Sequence, residues 1–469
     1  MNLKRISFYL SLFCFPVSFL AFINILYASY FDYFLSIETY FTTLVVSLFL
    51  GLILLYYGKK YKQNINFIEQ LILIICSYIL TSVLISIPFF FSNYQVTFLN
   101  SIFESISGLT GTGFSIFKDI KYLDPTLILW RSSSQWLGGL FFLFFLIIIF
   151  SNKSFNYKMT NLTYSGDNNL HSESNIKDNL LKIFIIYSIL SIVILSLLNL
   201  SGVRLFNSLN LSMTLVSGGG FLPTENLSKI ISTNFQKIIL IFSLFVSLLN
   251  FYLLLNLFNK NILVKEHKED LYLIILSIIF CFFIFFNNYD GLDIIISITS
   301  SLANSGLTLI EDNNLSLYFL LITIIGGSLI SNTSGIKLTR FYVLLKITSL
   351  EIIKLISPNS IINKTIFGSD KKISDDHVKI SFLIFISFFL SLFILSSLLV
   401  IDNIGFEKSF KLSILTLTNT VNSEMYNMQN LDFNNLLTSS KISLILFMII
   451  GKIELISIFL IFKKIFFRE

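Results

Sequence analysis

Four short stretches of small, uncharged residues offer chemistry that needs no ionisable side chain. They are Thr110-Gly111-Thr112-Gly113, Val216-Ser217-Gly218-Gly219-Gly220, Asn304-Ser305-Gly306 and Thr420-Val421-Asn422. Between Gly113, Gly220, Gly306 and Asn422 the intervals are 107, 86 and 116 residues. Glycine opens backbone conformations closed to other residues, so such turns can aim carbonyl oxygens at one axis. Rings of carbonyls replace the water shell of a dehydrated monovalent cation. A neutral oxygen cage suits a large cation such as potassium. Calcium or magnesium would ask for converging carboxylates, and Glu424 alone stands beside a turn. One such stretch by itself is an ordinary tight turn; four at matching places in a repeat carry more weight.

The elements that must position these turns are short. Each turn follows a partly apolar segment, at 97–109, 204–215, 291–303 and 406–418. A bilayer crossing takes about 20 residues, so these segments read as re-entrant helices. Non-helical backbone at membrane depth is tolerated only where it is buried in protein or lines a wet path. The negative dipole end of each short helix would favour a cation. Spanning segments are expected at 6–28, 37–57, 68–92, 126–150, 181–200, 236–258, 269–287, 316–345, 379–401 and 440–467. The order span, short helix, turn, span then recurs four times, a parallel repeat of roughly a hundred residues that would enclose a central pore.

The composition agrees with that reading. Of 469 residues, 54% are hydrophobic and 13% charged, where a soluble domain carries about 25% charged. The expected fold class is an all-α polytopic membrane protein of about ten spans: a two-helix extension over 1–66, then repeats over 67–152, 180–262, 268–350 and 378–469. The net charge of +6 reads as loop bias rather than as a nucleic-acid surface. Lys4, Arg5, Lys59, Lys60, Lys153, Lys260, Lys364 and Lys463 share one side, and Asp119, Asp124, Glu225, Asp290 and Asp402 the other. The positive-inside rule then makes both termini cytoplasmic. Met1–Ser29, with Lys4 and Arg5 ahead of a long apolar run, is expected to be a retained first span rather than a cleaved signal.

Several function classes find no residues to work with. Cys14, Cys76 and Cys281 lie in apolar runs, and His171, His267 and His377 lie far apart in polar loops, which gives neither zinc spacing nor a catalytic triad. No Gly-x-x-x-x-Gly-Lys-Ser/Thr run occurs, so nucleotide control would have to come from another chain. An embedded enzyme would need intramembrane His, Cys or paired carboxylates, and the spans hold almost none. The expectation is a transporter with no cofactor in this chain and potassium as its substrate. Glu104 and Arg131, ionisable residues near the membrane boundary of the first repeat, are expected to form a structural ion pair bracing the first short helix.

The residues also carry a family likeness. Phe103-Glu104-Ser105-Ile106-Ser107-Gly108-Leu109-Thr110-Gly111-Thr112-Gly113, followed by Trp130-Arg131-Ser132-Ser133-Ser134-Gln135-Trp136-Leu137-Gly138-Gly139, closely resembles the Trk/Ktr/HKT superfamily of potassium transporters. So do Gly326-Gly327, Asn332-Thr333-Ser334-Gly335-Ile336-Lys337 and Gly451-Lys452-Ile453-Glu454. The extra N-terminal pair of spans resembles the Trk-type, TrkH-like membrane subunit. The resemblance implies a homodimer with one pore per subunit, in a bacterial-type inner membrane, and one filter glycine per repeat at Gly113, Gly220, Gly306 and, as a departure, Asn422. It implies a gating loop at 326–335, with Gly326, Gly327 and Gly335, and a basic residue of the last span at Lys452. Ile330 and Ser334 replace family glycines there. It also implies a cytoplasmic nucleotide-binding regulatory subunit (TrkA-like). Selective potassium uptake, sodium-permeable or ion-coupled transport, and a non-conducting degenerate subunit all stay open, because the fourth turn departs from the pattern.

Overall fold

The computed structural model describes residues 3–61, 66–150, 173–258, 268–284, 289–310, 314–357, 364–366 and 372–453. Among these the chain is helical, with a single isolated bridge between Thr365 and Lys372 and no named strand. The N-terminal pair is α1 (Leu3–Tyr30) and α2 (Phe34–Gly58). They run antiparallel: a Cβ on Gly58, at the end of α2, would collide with the backbone of Phe8 near the start of α1. Next come α3 (Phe67–Phe90), the short α4 (Phe98–Thr110) and α5 (Pro125–Phe150). Then follow α6 (Glu173–Leu200), the short α7 (Leu205–Ser217), α8 (Asn234–Leu248) and α9 (Phe251–Phe258). After α10 (Lys268–Ile284) come α11 (Gly291–Leu302), α12 (Ser316–Ile325) and α13 (Leu338–Ile356). The last group is α14 (Asp375–Ile401), α15 (Phe406–Leu417) and α16 (Thr438–Ile453).

Among the described residues, five helices are long and apolar enough to cross a membrane by length and composition. Their outer faces carry Phe19, Phe49 and Phe393, all more than half exposed, as expected where lipid rather than water is the solvent. The four short helices α4, α7, α11 and α15 are instead among the most buried elements. Their hydroxyls are satisfied locally: Thr110, Thr214, Thr299, Ser413 and Thr416 each donate to a carbonyl four residues back. A buried hydroxyl that finds its partner inside its own helix avoids the cost of an unpaired polar group.

Glycines seat the short helices against their neighbours. A Cβ on Gly138 or on Gly451 would collide with the carbonyl of Leu109 or of Leu417, and one on Gly139 would stand 2.8 Å from Ser217 Cβ. Small residues at these positions let the backbones approach closely.

Two expected spans are broken. Residues 326–337 separate α12 from α13. The run 236–258, expected as one span, divides at Leu249-Asn250. There Asn250 N donates to Asp270 Oδ1 at 2.8 Å and Phe251 N to Ile330 O at 2.8 Å, so partners outside the helix take the amides. His377, expected in a loop, lies in the first turn of α14, where Ser374 caps the helix. The expected last span is described through Ile453; Glu454, Lys463 and the loop lysines Lys153 and Lys260 lie outside the described residues.

Candidate ion pathway

The four turns share one backbone register. A residue in the left-handed conformation follows each short helix, directly in the first two and after Ala303 or Thr418 in the last two: Gly111 (φ 79°), Gly218 (φ 69°), Asn304 (φ 57°) and Asn419 (φ 49°). Each of these amides donates to the carbonyl three residues back, Gly108, Leu215, Ser301 and Thr416 respectively. One residue later, Gly219, Ser305 and Thr420 donate five residues back to Thr214, Ser300 and Leu415. Glycine and asparagine are the residues that tolerate left-handed geometry best. The common register makes Gly113, Gly220, Gly306 and Val421 equivalent. Asn422, which the sequence spacing aligns with the glycines, falls one residue later, level with Phe114, Phe221 and Leu307. Its Nδ2 donates to Met428 O at 3.2 Å.

These four positions meet. A Cβ on Gly113 would stand 3.1 Å from Val421 Cβ, and one on Gly306 would stand 2.7 Å from Val421 Cγ1. On Gly220 it would stand 2.5 Å from Val421 Cβ and 2.7 Å from Ser305 O. The Val421 side chain therefore faces all three glycine backbones. Gly113 and Gly306 need positive φ (81° and 69°), whereas Val421 is not among the positive-φ residues, so a β-branched residue fits its backbone without strain. All four line one cavity of about 470 Å³. Its wall is mixed in charge: Lys118 pairs with Asp432 at 2.6 Å, and Asn226 Nδ2 reaches Glu424 Oε1 at 3.4 Å. Hydrogen bonding to Lys229 holds the Glu225 carboxyl below the usual carboxylate range, which keeps an anion at the rim.

On the other side of the turns lies the segment 326–337. Asn332 Nδ2 donates to Val216 O at 2.8 Å, Ser334 N to Asn304 Oδ1 at 3.2 Å, and Ser334 Oγ to Asn419 Oδ1 at 2.9 Å. Asn419 Nδ2 in turn reaches Thr112 Oγ1 at 3.0 Å and Met448 O at 2.9 Å. Two ammonium groups satisfy three successive carbonyls of the segment. Lys452 Nζ donates to Asn332 O at 2.9 Å, and Lys337 Nζ donates to Ser331 O at 3.3 Å and to Thr333 O. Lys452 is 3% exposed, stacks on the Phe142 ring with its Nζ 4.6 Å from the centroid, and would lie 3.8 Å from a Cβ on Gly111. The Lys452 side chain thus ends directly behind the first turn.

Behind the first turn's short helix, Arg131 Nε contacts Glu104 Oε1 at 2.7 Å, with both side chains essentially unexposed. Glu104 also accepts from Ile116 N at 2.9 Å and Ser115 Oγ at 3.1 Å. The Arg131 guanidinium lies 4.1 Å from the Phe221 ring centroid, so it joins the first turn to the second. Charge-assisted bonds of this kind suit a charge removed from water.

A family model described as TrkH, cation transport protein, matches residues 36–289, more than half of the chain. The chain belongs to the TrkH family of cation transport proteins. It is 24% identical to the "uncharacterized cation transporter MJ1485" of Methanocaldococcus jannaschii, over 87% of this chain and 84% of that one. It is 25% identical to the Trk system potassium uptake protein TrkG of Escherichia coli, over 92% of each. The crystal structure of the potassium transporter TrkH from Vibrio parahaemolyticus has a TM-score of 0.86 at 18% identity, covering 98% of both chains. That likeness gives this TrkH-family chain the same fold, an all-helical multi-pass membrane protein.

Sequence reasoning counted Val421 among the filter residues of this TrkH-family chain but gave the ring position to its neighbour Asn422, which the spacing aligns with the three glycines. Asn304 and Asn419 were recognised as turn residues, but their amides' reach to Ser334 was not. A usable signal existed: an asparagine two residues before the ring position, where the first two turns have glycine.

Proposed function

We propose that the chain carries potassium across a cell membrane through the four turns. The ion sheds water in the cavity and passes the carbonyls of Thr110–Gly113, Val216–Gly220, Asn304–Gly306 and Thr420–Val421. Asn422 lines the approach. The observation that carries this reading is the meeting of Gly113, Gly220, Gly306 and Val421, from four distant segments, at the wall of one cavity. Membrane potential supplies the drive, about 2.3 kcal/mol per charge per 100 mV.

Segment 326–335 acts as the gate. Gly326, Gly327 and Gly335 let it fold back tightly; Gly326 and Gly335 have φ of 70° and 80°. Its bonds to Val216, Asn304, Asn419 and Lys452 support a closed state, with the segment filling the space behind the turns. The Glu104–Arg131 pair braces the first short helix. The loop charges favour cytoplasmic termini in an inner membrane. The relatives are named as parts of a Trk system, which supports work alongside other subunits; the arrangement proposed is a homodimer with a cytoplasmic nucleotide-binding subunit. The protein transports and catalyses no covalent chemistry.

Val421 favours a second reading. An isopropyl group facing three glycines narrows the ring and weights the passage towards sodium. Growth rescue of a potassium-uptake-deficient strain, with labelled potassium and sodium uptake by the purified protein in liposomes, separates the two. Potassium uptake exceeding sodium uptake is expected; dominant sodium uptake selects the second reading, and no uptake of either ion rejects both.

A further inference from the structure

The segment behind the turns is tied down at its far side by a carboxylate that the transport reading does not use. Glu269, in the first turn of α10, is 1% exposed. One oxygen, Oε1, accepts from the Leu329 amide at 3.0 Å and from the Thr339 hydroxyl in the first turn of α13. Its other oxygen, Oε2, is buried with no hydrogen-bond partner. Its neighbour Asp270 accepts from Asn250 N at 2.8 Å, at the break between α8 and α9. That break is joined to the segment by two backbone bonds, Ser328 N to Leu248 O at 3.1 Å and Phe251 N to Ile330 O at 2.8 Å.

Burying a carboxylate is expensive unless bonds compensate it. The donors to Glu269 are the segment's own amide and the helix that follows the segment, so Oε1 acts inside the loop and just past its end.

We propose that Glu269 is a positioning residue for the gate: its Oε1 pins Leu329 to the first turn of α13 and holds residues 326–337 behind the turns. The proposal rests on the reading of this segment as a gate. Asp270 fixes the adjoining break, so α10 carries two adjacent anchors for two discontinuous helices. Releasing the Glu269 anchor frees the loop to leave the pathway without altering the ring at Gly113, Gly220, Gly306 and Val421.

The test uses the full chain in liposomes and labelled potassium and rubidium, comparing the parent with Glu269→Gln, Thr339→Val and Glu269→Leu. Glutamine keeps an acceptor oxygen, and its uptake should stay within about twofold of the parent. Thr339→Val removes one donor and should raise uptake about threefold; Glu269→Leu removes the acceptor and should raise it about tenfold. The potassium-to-rubidium ratio should not move, because the ring is untouched. Thermal unfolding in detergent identifies any variant that fails to fold. If Glu269→Leu does not fold, the contrast between Thr339→Val and Glu269→Gln decides. Equal uptake in well-folded variants, a lowered uptake, or a changed ion ratio would overturn the proposal. A parent protein that passes neither ion would instead reject the transport reading beneath it.

Discussion

The first two turns close their short helices with glycine and the last two with asparagine, on one shared backbone. Gly111 and Gly218 bring no side chain to the space behind them, and Lys452 and Asn332 come close there: Lys452 Nζ would stand 3.8 Å from a Cβ on Gly111, and Asn332 Cβ 3.8 Å from one on Gly218. Asn304 and Asn419 do the reverse and reach out to Ser334. Half of the structure around the ring makes room for the segment behind it, and half holds on to it. The same left-handed position thus serves as a bare cap in one pair and as an anchor in the other. The lesson is that a backbone requirement met by two residue types leaves the side chain free for a second task.

The largest effect should come from the feature that sets the first turn apart. Glu104→Gln leaves the buried Arg131 uncompensated and should cost about 3–5 kcal/mol, read as a lowered thermal midpoint in detergent. Next, Asn419→Ala forces alanine into left-handed backbone and removes three hydrogen bonds, a loss of about 2–4 kcal/mol. Asn419→Gly should recover the strain part of that loss while still raising potassium uptake, because the anchor to Ser334 is gone. A smaller loss, about 1–2 kcal/mol, is expected for Gly111→Ala, since the nearest atom to the new Cβ is 3.8 Å away and backbone strain is the remaining cost. If Gly111→Ala proved neutral while Asn419→Ala unfolded the protein, the two pairs of turns would not share a common backbone demand.

The four turns and their short helices were legible because composition changes abruptly there: small polar residues interrupt apolar runs, and the interruption recurs. The interruption at 326–337 was signalled by the family resemblance, which implies a loop at 326–335, while hydropathy alone reads 316–345 as one span. The break at Leu249-Asn250 was not, since one asparagine in a leucine-rich run looks like a buried polar residue inside a helix. The bonds that break the helix come from Asp270 and Ile330, which the local sequence does not announce. Nothing in the local sequence distinguishes Glu269 and Asp270 from ordinary acidic residues of a first helical turn. The equivalence of Val421 with the three glycines was hidden for a related reason: the register of the fourth turn is set by hydrogen bonds back to Leu415 and Thr416, and counting residues from the other turns puts the ring one place late.

Val421 is also the residue at which the pathway can be tested with least disturbance of the fold. Its replacement should change stability least of all these variants, because its backbone needs no positive φ, yet it stands against all three glycines of the ring. The direct measurement is the ratio of labelled potassium to sodium uptake in liposomes for Val421→Gly against the parent. If ions pass through this ring, the ratio rises and total uptake increases. An unchanged ratio at unchanged uptake, in protein that folds as the parent does, would place the pathway elsewhere in the molecule.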